Sequence, residues 1–410
     1  MGELNRLRGF RWRRKRGTDP LNLLGQCLRR KSTIRYRARY FLTPAHSEEE
    51  PKMKMTATGN DLPEIGKISP EIFDEIIFPM LGRKDPTVLV PPQHGVDVGI
   101  IDIGAGSVMA ITCDPVFVVP QYGWERAAWF AIHILASDAA TSGLRPRYLA
   151  IDLNLPMGIT KNELVTLWKA MHQECNKLGI AIVTGHTARY QGTDYPMIGG
   201  ATMISIGPKT HYVTPAMSSP DEDIIMTKGP AIEASALFAV TFPRRVEKAY
   251  GPAFAQRAEE LFWQMSVVED ALSAASIGVR DAGVTSMHDA TECGLWGGLY
   301  EVARASHVGM RIDRGKIPVP EEVEKICRLF EIDPFSAISE GTLIITCKKA
   351  KTDTLLSCLA AKGIRAALIG ETCPEEHGVT LAEKDQEIPL EHPRTDPFWK
   401  AFGQALASGE

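Results

Sequence analysis

The sequence predicts a mixed α/β (α+β) fold in two halves, and three observations carry that reading. Apolar alternation of strand type and apolar spacing of helix type take turns along the body of the chain. A turn-rich, Pro-containing stretch, KTHYVTPAMSSPDED, interrupts them and sets a boundary near 212–222. No repeat of solenoid length appears.

In chain order, GKISPEIFDEIIFPML predicts an amphipathic helix with Ser69 as N-cap and Pro70 in the first position, where its missing N–H costs nothing. Strands are expected at 88–90, 98–103 and 108–112, then helices over 124–142 and 160–178. Strands at 148–153, 180–184 and 199–206 lie between and after those helices. The second half opens at Ile224 with IIMTKG and continues through a long helical stretch at 252–278 and a Gly-rich motif. It then runs through MRID, VEKICRLF, TLIITC, TDTLLSCLAAKG and AALIGE.

The chain has 410 residues, 44% hydrophobic and 23% charged, which suits a globular protein large enough for two cores and excludes global disorder. No apolar run approaches the roughly 20 residues that cross a bilayer, so no membrane insertion is expected. Eight cysteines at 27, 113, 175, 293, 327, 347, 358 and 373 form neither Cys-x-x-Cys nor a metal-ligand spacing. They read as reduced, mostly buried thiols of a cytoplasmic protein.

Charge is unevenly spread. Residues 1–52 hold 14 Lys and Arg against 5 Asp and Glu, which leaves 32 basic and 45 acidic residues in the remainder, a net charge near −13. An acidic body makes nucleic acid an unexpected partner for it, because phosphate contacts need clustered Lys and Arg. The basic arm over 1–60, with RWRRKR at 11–16, has three readings: an RNA-binding arm, an Arg-rich transit peptide, or a start placed upstream of a natural beginning at Met53 or Met55.

Three stretches carry candidate chemistry. In MHDATECGLWGGLYEVA (287–303) an acid and a hydroxyl precede closely spaced glycines and a helical pattern, so helix-start N–H groups could form an anion site with Asp289, Thr291 and Glu292 at its mouth. An ordinary capped helix start is the alternative. In HGVDVGIIDIGAGSVMAITCD (94–114) two strands joined by a Gly-rich turn place Asp97 at one strand start and Asp114 at the other strand's end. ASDAATSGLRPRY (136–148) adds Asp138 near a helix end. Three separated carboxylates without a His/Cys cluster suit Mg²⁺, a hard cation that takes oxygen ligands and bridges phosphates.

In this order the motifs resemble the aminoimidazole ribonucleotide synthase superfamily, whose branches include the hydrogenase maturation carbamoyl dehydratase, selenide water dikinase and thiamine-monophosphate kinase. The resemblance covers about residues 66–388. It rests on ITCDPVFV, SDAATSGLRPRYLAIDLNLP, IVTGHTARYQG, TKGPAIEASALFA and MHDATECGLWGGLYEVA, with GMRIDRGKIPVP and SEGTLIITC closest to the dehydratase branch. It implies a two-domain PurM-like fold: an ATP-binding domain over 61–212 that closes a β-barrel across a homodimer, an α+β sandwich over 220–388, and a tail over 389–410.

The resemblance also assigns roles. Asp97, Asp114 and Asp138 would hold Mg²⁺, and Gly185, His186 and Thr187 would line the phosphate of ATP or substrate. Lys228 with Gly229 would meet phosphate as a point charge, with a surface lysine as the alternative. Asp289, Thr291 and Gly294 would face the same cleft, as would Glu340 of the Glu-Gly pair before a core strand. The implied function is ATP-dependent activation of an oxygen-, amide- or carboxyl-type group, on a small molecule or a partner maturation protein. A selenide water dikinase-like or thiamine-monophosphate kinase-like phosphotransferase and a non-catalytic nucleotide-binding scaffold are the alternatives.

The departures bear on substrate. Val96 stands where the kinase branch has an acid, residues 85–97 lack the dikinase's Cys, and QALASGE lacks the dehydratase's terminal carrier Cys. His186 stands where the cyclo-ligase branch generally has Glu. The Arg-rich arm, poor in periodic apolar positions, cannot offset its ordering entropy by burial. A chain beginning at Met53 is therefore expected to melt within a few degrees of the full chain, as calorimetry would show; a large loss of stability would mean that the arm docks on the acidic body.

Overall fold

The computed structural model describes residues 62, 63, 65–384 and 386–408. The basic arm and its proposed start sites lie outside the described residues. Two sheets organise the remainder. The first has six strands, β1 (Val88–Val90), β2 (Gly99–Gly104), β3 (Ser107–Phe117), β4 (Pro146–Leu155), β5 (Ala181–Arg189) and β6 (Met197–Pro208), in the order β1-β2-β3-β6-β4-β5. Within this sheet only β4 and β5 pair in parallel, across the crossover helix Lys161–Leu178. That helix starts on a capping box, Thr160 Oγ1 accepting from Glu163 N while Glu163 accepts from Thr160 N.

The second sheet holds seven strands: β7 (Glu222–Thr227), β8 (Val284–Asp289), β9 (Val308–Asp313), β10 (Leu343–Lys348), β11 (Ala366–Pro374), β12 (Val379–Glu383) and β13 (Gln386–Pro389), in the order β13-β12-β9-β11-β7-β10-β8. The β12–β13 hairpin and the helix Pro397–Ala407 were not anticipated; the expected tail over 389–410 is in large part ordered structure. Phe398 and Phe402 draw the helix in, packing against Phe238 at 5.2 Å and 5.7 Å.

The helix Trp124–Thr141 joins the two halves. Thirteen of its 18 residues are buried, so it has no solvent face to speak of, as expected for a helix apolar all round. Its alanines let the helix Val268–Ser276 and β8 approach closely, and one continuous core runs from β4 and β6 through this helix to β10. The outer face of the first sheet stays uncovered within the chain: Met109 opposite Ile206 and Ile111 opposite Ile204 are only half-buried. Val98 and Ile100, by contrast, point into a cluster with Val108, Ala110 and Leu144 and are 1% and 0% exposed. They belong to the inner core and not to the uncovered face.

Candidate active site

A cavity of about 740 Å³ opens where the segment before β2, the start of the helix Gly294–Ser306 and the helix Trp124–Thr141 meet. Asp97, Asp114, Asp138, Thr291 and Glu340, five of the residues singled out in the sequence, line it. The Thr112 hydroxyl ties two of them together, lying 2.9 Å from Asp138 Oδ2 and 3.3 Å from Asp114 Oδ2. Asp289 lies beneath the wall, 0% exposed, and neither of its carboxylate oxygens has a partner. Burial, then the charges of Asp289 and Asp114, push the Asp138 carboxyl well above its ordinary range. Burial and Asp97 push Asp289 up in the same way.

Four further residues complete the site. His288 is clamped between two carboxylates, Nδ1 to Asp97 Oδ2 and Nε2 to Glu301 Oε2, each at 2.8 Å. Burial works against its charge, but Asp97 and Glu301 outweigh it and hold the imidazole protonated well above its usual range. Glu301 in turn falls to about 2, burial being overcome by Lys67 and His288. Lys67 is exposed as a residue but its ammonium is drawn into the site, Nζ reaching Thr291 Oγ1 at 3.0 Å while its backbone N–H donates to Glu292 Oε2 at 2.8 Å. Beyond them Glu233 is raised to about 8, chiefly by burial. His288 and Glu301 lie inside the Gly-rich motif, at positions that read there as strand end and helix face; nothing in the sequence marked Lys67 or Glu233.

Asp97, His288 and Asp289 bring ligand atoms within 4.8 Å of one another. Because both His288 nitrogens already face carboxylates, the atoms free for a cation are oxygens alone. The orphaned oxygens of Asp289 beside those of Asp97, Asp114 and Asp138 therefore fit a hard cation such as Mg²⁺ and not zinc.

Other residues singled out in the sequence lie apart from the cavity within the chain. Lys228 does not reach the cavity: its Nζ donates to Ser266 O at 2.7 Å, Asp270 Oδ2 at 2.9 Å and Gly341 O at 3.1 Å, which uses all three donors. Gly229 does not line this cavity either. At the start of the helix Gly294–Ser306 the expected anion site is filled from within, because Cys293 N donates to Asp396 Oδ2 at 2.7 Å. Gly294 serves packing, since a Cβ there would meet Ala337 O at 2.4 Å. Gly185, His186 and Thr187 sit on β5, an edge strand, away from this cavity within the chain; His186 Nε2 pairs with the Tyr190 hydroxyl at 3.0 Å.

Two sheet-bearing halves joined by a buried helix, with an acidic cavity at their junction, define the class. The family profile described as AIR synthase related protein, N-terminal domain, matches residues 95–206, and that described as AIR synthase related protein, C-terminal domain, matches residues 219–382. The chain belongs to the AIR synthase related proteins. Carbamoyl dehydratase HypE of Cupriavidus necator is 26% identical over 302 residues, 71% of this chain and 81% of that enzyme. Among solved structures, a HypE–HypF complex superposes with a TM-score of 0.61 at 19% identity, covering 78% of this chain and 99% of the other. The hydrogenase maturation protein HypE in complex with ATP gives 0.55 at 20%, covering 81% and 97%. At these identities the structures establish the shared PurM-like fold.

The Lys228 correction is testable. Breaking a buried pair leaves Asp270, 3% exposed, without its cation. Lys228→Ala should cost about 3 kcal/mol of stability in a denaturant titration. An unchanged midpoint with weakened nucleotide binding would restore a phosphate-contacting role.

Proposed function

We propose that this protein is an ATP- and Mg²⁺-dependent enzyme that activates an oxygen-, amide- or carboxyl-type group by phosphoryl transfer at the acidic cavity. The observation that carries the reading is the convergence of Asp97, Asp114, Asp138 and buried, unpartnered Asp289. Carboxylates repelling one another in a buried site need a counter-charge, and a divalent cation on the phosphates of a nucleotide supplies one. That the relatives include a carbamoyl dehydratase and a HypE bound to ATP supports it.

Asp97, Asp114, Asp138 and Asp289 would hold the cation, which would supply positive charge against phosphate oxygens. Lys67, poised on Thr291, would add a mobile point charge against a phosphate oxygen. Thr112 keeps Asp114 and Asp138 at fixed separation, and His288 keeps Asp97 aimed. Glu233 holds a proton at neutral pH and adds no charge there. The substrate is a small molecule or a group on a partner maturation protein, the latter supported by the HypE–HypF complex.

Isothermal titration tests the metal assignment. Asp114→Asn and Asp138→Asn should each weaken Mg-ATP binding at least about tenfold, since losing even outer partners of a metal site costs that much. Melting without nucleotide should be unchanged or higher, because each variant removes one of several repelling carboxylates. Wild-type affinity in both variants would remove the cation role.

We also propose a homodimer built on the uncovered face of the first sheet, with a nucleotide site that β5 of the neighbouring copy approaches. Met109, Ile111, Ile204 and Ile206 form an apolar strip across two central strands that water would otherwise cover. Ile204→Lys should give a folded monomer in sedimentation while the native chain runs as a dimer. A native chain sedimenting at 45 kDa would refute the dimer.

A further inference from the structure

A second cavity, of about 790 Å³, adjoins the acidic one, and Lys67, Ile68, His94, Glu292 and Glu301 line both. Its remaining walls come from the 63–71 segment, from Tyr300 on the helix Gly294–Ser306 and from the 390–394 segment ahead of the last helix. His94 stands where the two cavities meet. It is the second residue of a turn closed by Val96 N donating to Gln93 O at 3.3 Å, and Gly95 supplies the positive φ, +73, of the third position.

The two nitrogens of this ring are in different surroundings. Nδ1 is buried without a hydrogen-bond partner, 3.9 Å from Glu301 Oε1. Lys67 and His288 overcome the burial of Glu301 and hold its carboxyl at about 2, so it is charged. At that distance the carboxylate makes no hydrogen bond, yet its charge favours the tautomer whose N–H points at it. Nε2, on the other side of the ring, then keeps its lone pair, and no described residue bonds it. Burial lowers the His94 pKa against the pull of Glu301, and Lys67, Arg304 and His392 lower it further, so the imidazole is neutral. The cavity's other imidazole is not equivalent. His392 Nδ1 accepts from Arg394 N at 3.0 Å, which leaves an N–H on its Nε2 and no lone pair to offer.

We infer that the second cavity admits the phosphoryl acceptor, a neutral molecule whose reacting group still carries a proton, and that His94 Nε2 takes this proton. The inference rests on the proposed function for the phosphoryl donor. As the acceptor oxygen bonds to the γ-phosphorus, the bond from that phosphorus to the bridging oxygen of the nucleotide breaks and ADP leaves. The O–H or N–H proton of the acceptor passes to His94. A carboxylate brings no proton and gives His94 nothing to accept, so the acceptor class narrows to neutral groups. The charges of the cavity lean the same way, because Glu71, Glu292, Glu301 and Glu391 outnumber Lys67 and Arg394.

Ring ¹⁵N spectra of the full chain test this without nucleotide, the signals of His94 being picked out of those of ten histidines through His94→Gln. At pH 7 His94 should be neutral with its proton on Nδ1. An Nε2–H tautomer or an imidazolium there overturns the inference, since neither has a lone pair on Nε2. Ethylene glycol or acetamide, titrated without Mg²⁺, should move the Nε2 signal, and acetate at equal ionic strength should not. No response to either neutral probe, or an equal response to acetate, also overturns it. With Mg-ATP, where water can stand in the acceptor's place, His94→Gln should lower kcat for ADP release about 100-fold or more and leave the KM for ATP within about twofold. An unchanged kcat counts against the base. Should His94→Gln not fold, His94→Asn takes its place, and ring signals assigned through the backbone of the native chain keep the tautomer test decisive. Calorimetry with Mg²⁺ and a non-hydrolysable ATP analogue is run in parallel. Its failure beside a His94 response removes the proposed function and leaves the second cavity standing as a site for neutral, proton-bearing molecules.

Discussion

The imidazole of His288 is the tie on which the site depends. Asp97 comes from the segment entering the first sheet, His288 from a strand of the second, and Glu301 from the helix that follows it, and two 2.8 Å contacts through one 1% exposed ring hold all three. A protonated imidazole between two carboxylates pairs both of its nitrogens; without the ring, Asp97 would lose its buried partner and Glu301 would keep only Lys67 against it, a cost of about 3 to 5 kcal/mol. Geometry permits this only because residue 95 is glycine. At φ +73, with a Cβ that would fall 2.6 Å from Glu301 Cβ, no larger residue lets the 94–97 segment lie against the helix.

Around that tie the molecule tolerates an electrostatic arrangement that folding alone would not favour. Asp138, Asp289 and Glu340 have their carboxyls pushed up or left without partners, and Lys67 in the wall and His288 behind it set positive charge against them. Buried acids held this close are a standing cost in the free protein and an asset once a cation and phosphates enter. Lys67 fits the same logic. Burial opposes its charge, while Glu301, Asp97, Asp138 and Glu292 together keep its ammonium charged at the mouth.

What positions these groups is the buried helix Trp124–Thr141. Its alanine-rich faces let both halves pack directly on it, and the same helix lines the cavity with both Asp138 and Phe130. Asp396 adds the last constraint, taking the amide at the start of the helix Gly294–Ser306 that a ligand anion could otherwise have used. The molecule thereby commits this helix end to its own structure and leaves the open part of the cavity to side-chain carboxylates.

The local pattern of residues by itself determined the mixed α/β character, the order of most strands and helices, and the acids Asp97, Asp114, Asp138 and Asp289, because period, caps and strand-end acids are written in neighbouring positions. The cavity contains all but the last of these, and Asp289 sits just behind it. Tertiary structure alone decided Lys228, whose three acceptors come from segments 38 to 113 residues away, and Lys67, which meets Thr291 across 224 residues. It also decided His94, set against Glu301 by a turn that no local pattern ties to that helix. The physical reason is common to all three: the worth of a charge or a polar N–H depends on which partners surround it after burial, and those partners come from parts of the chain that only folding brings together.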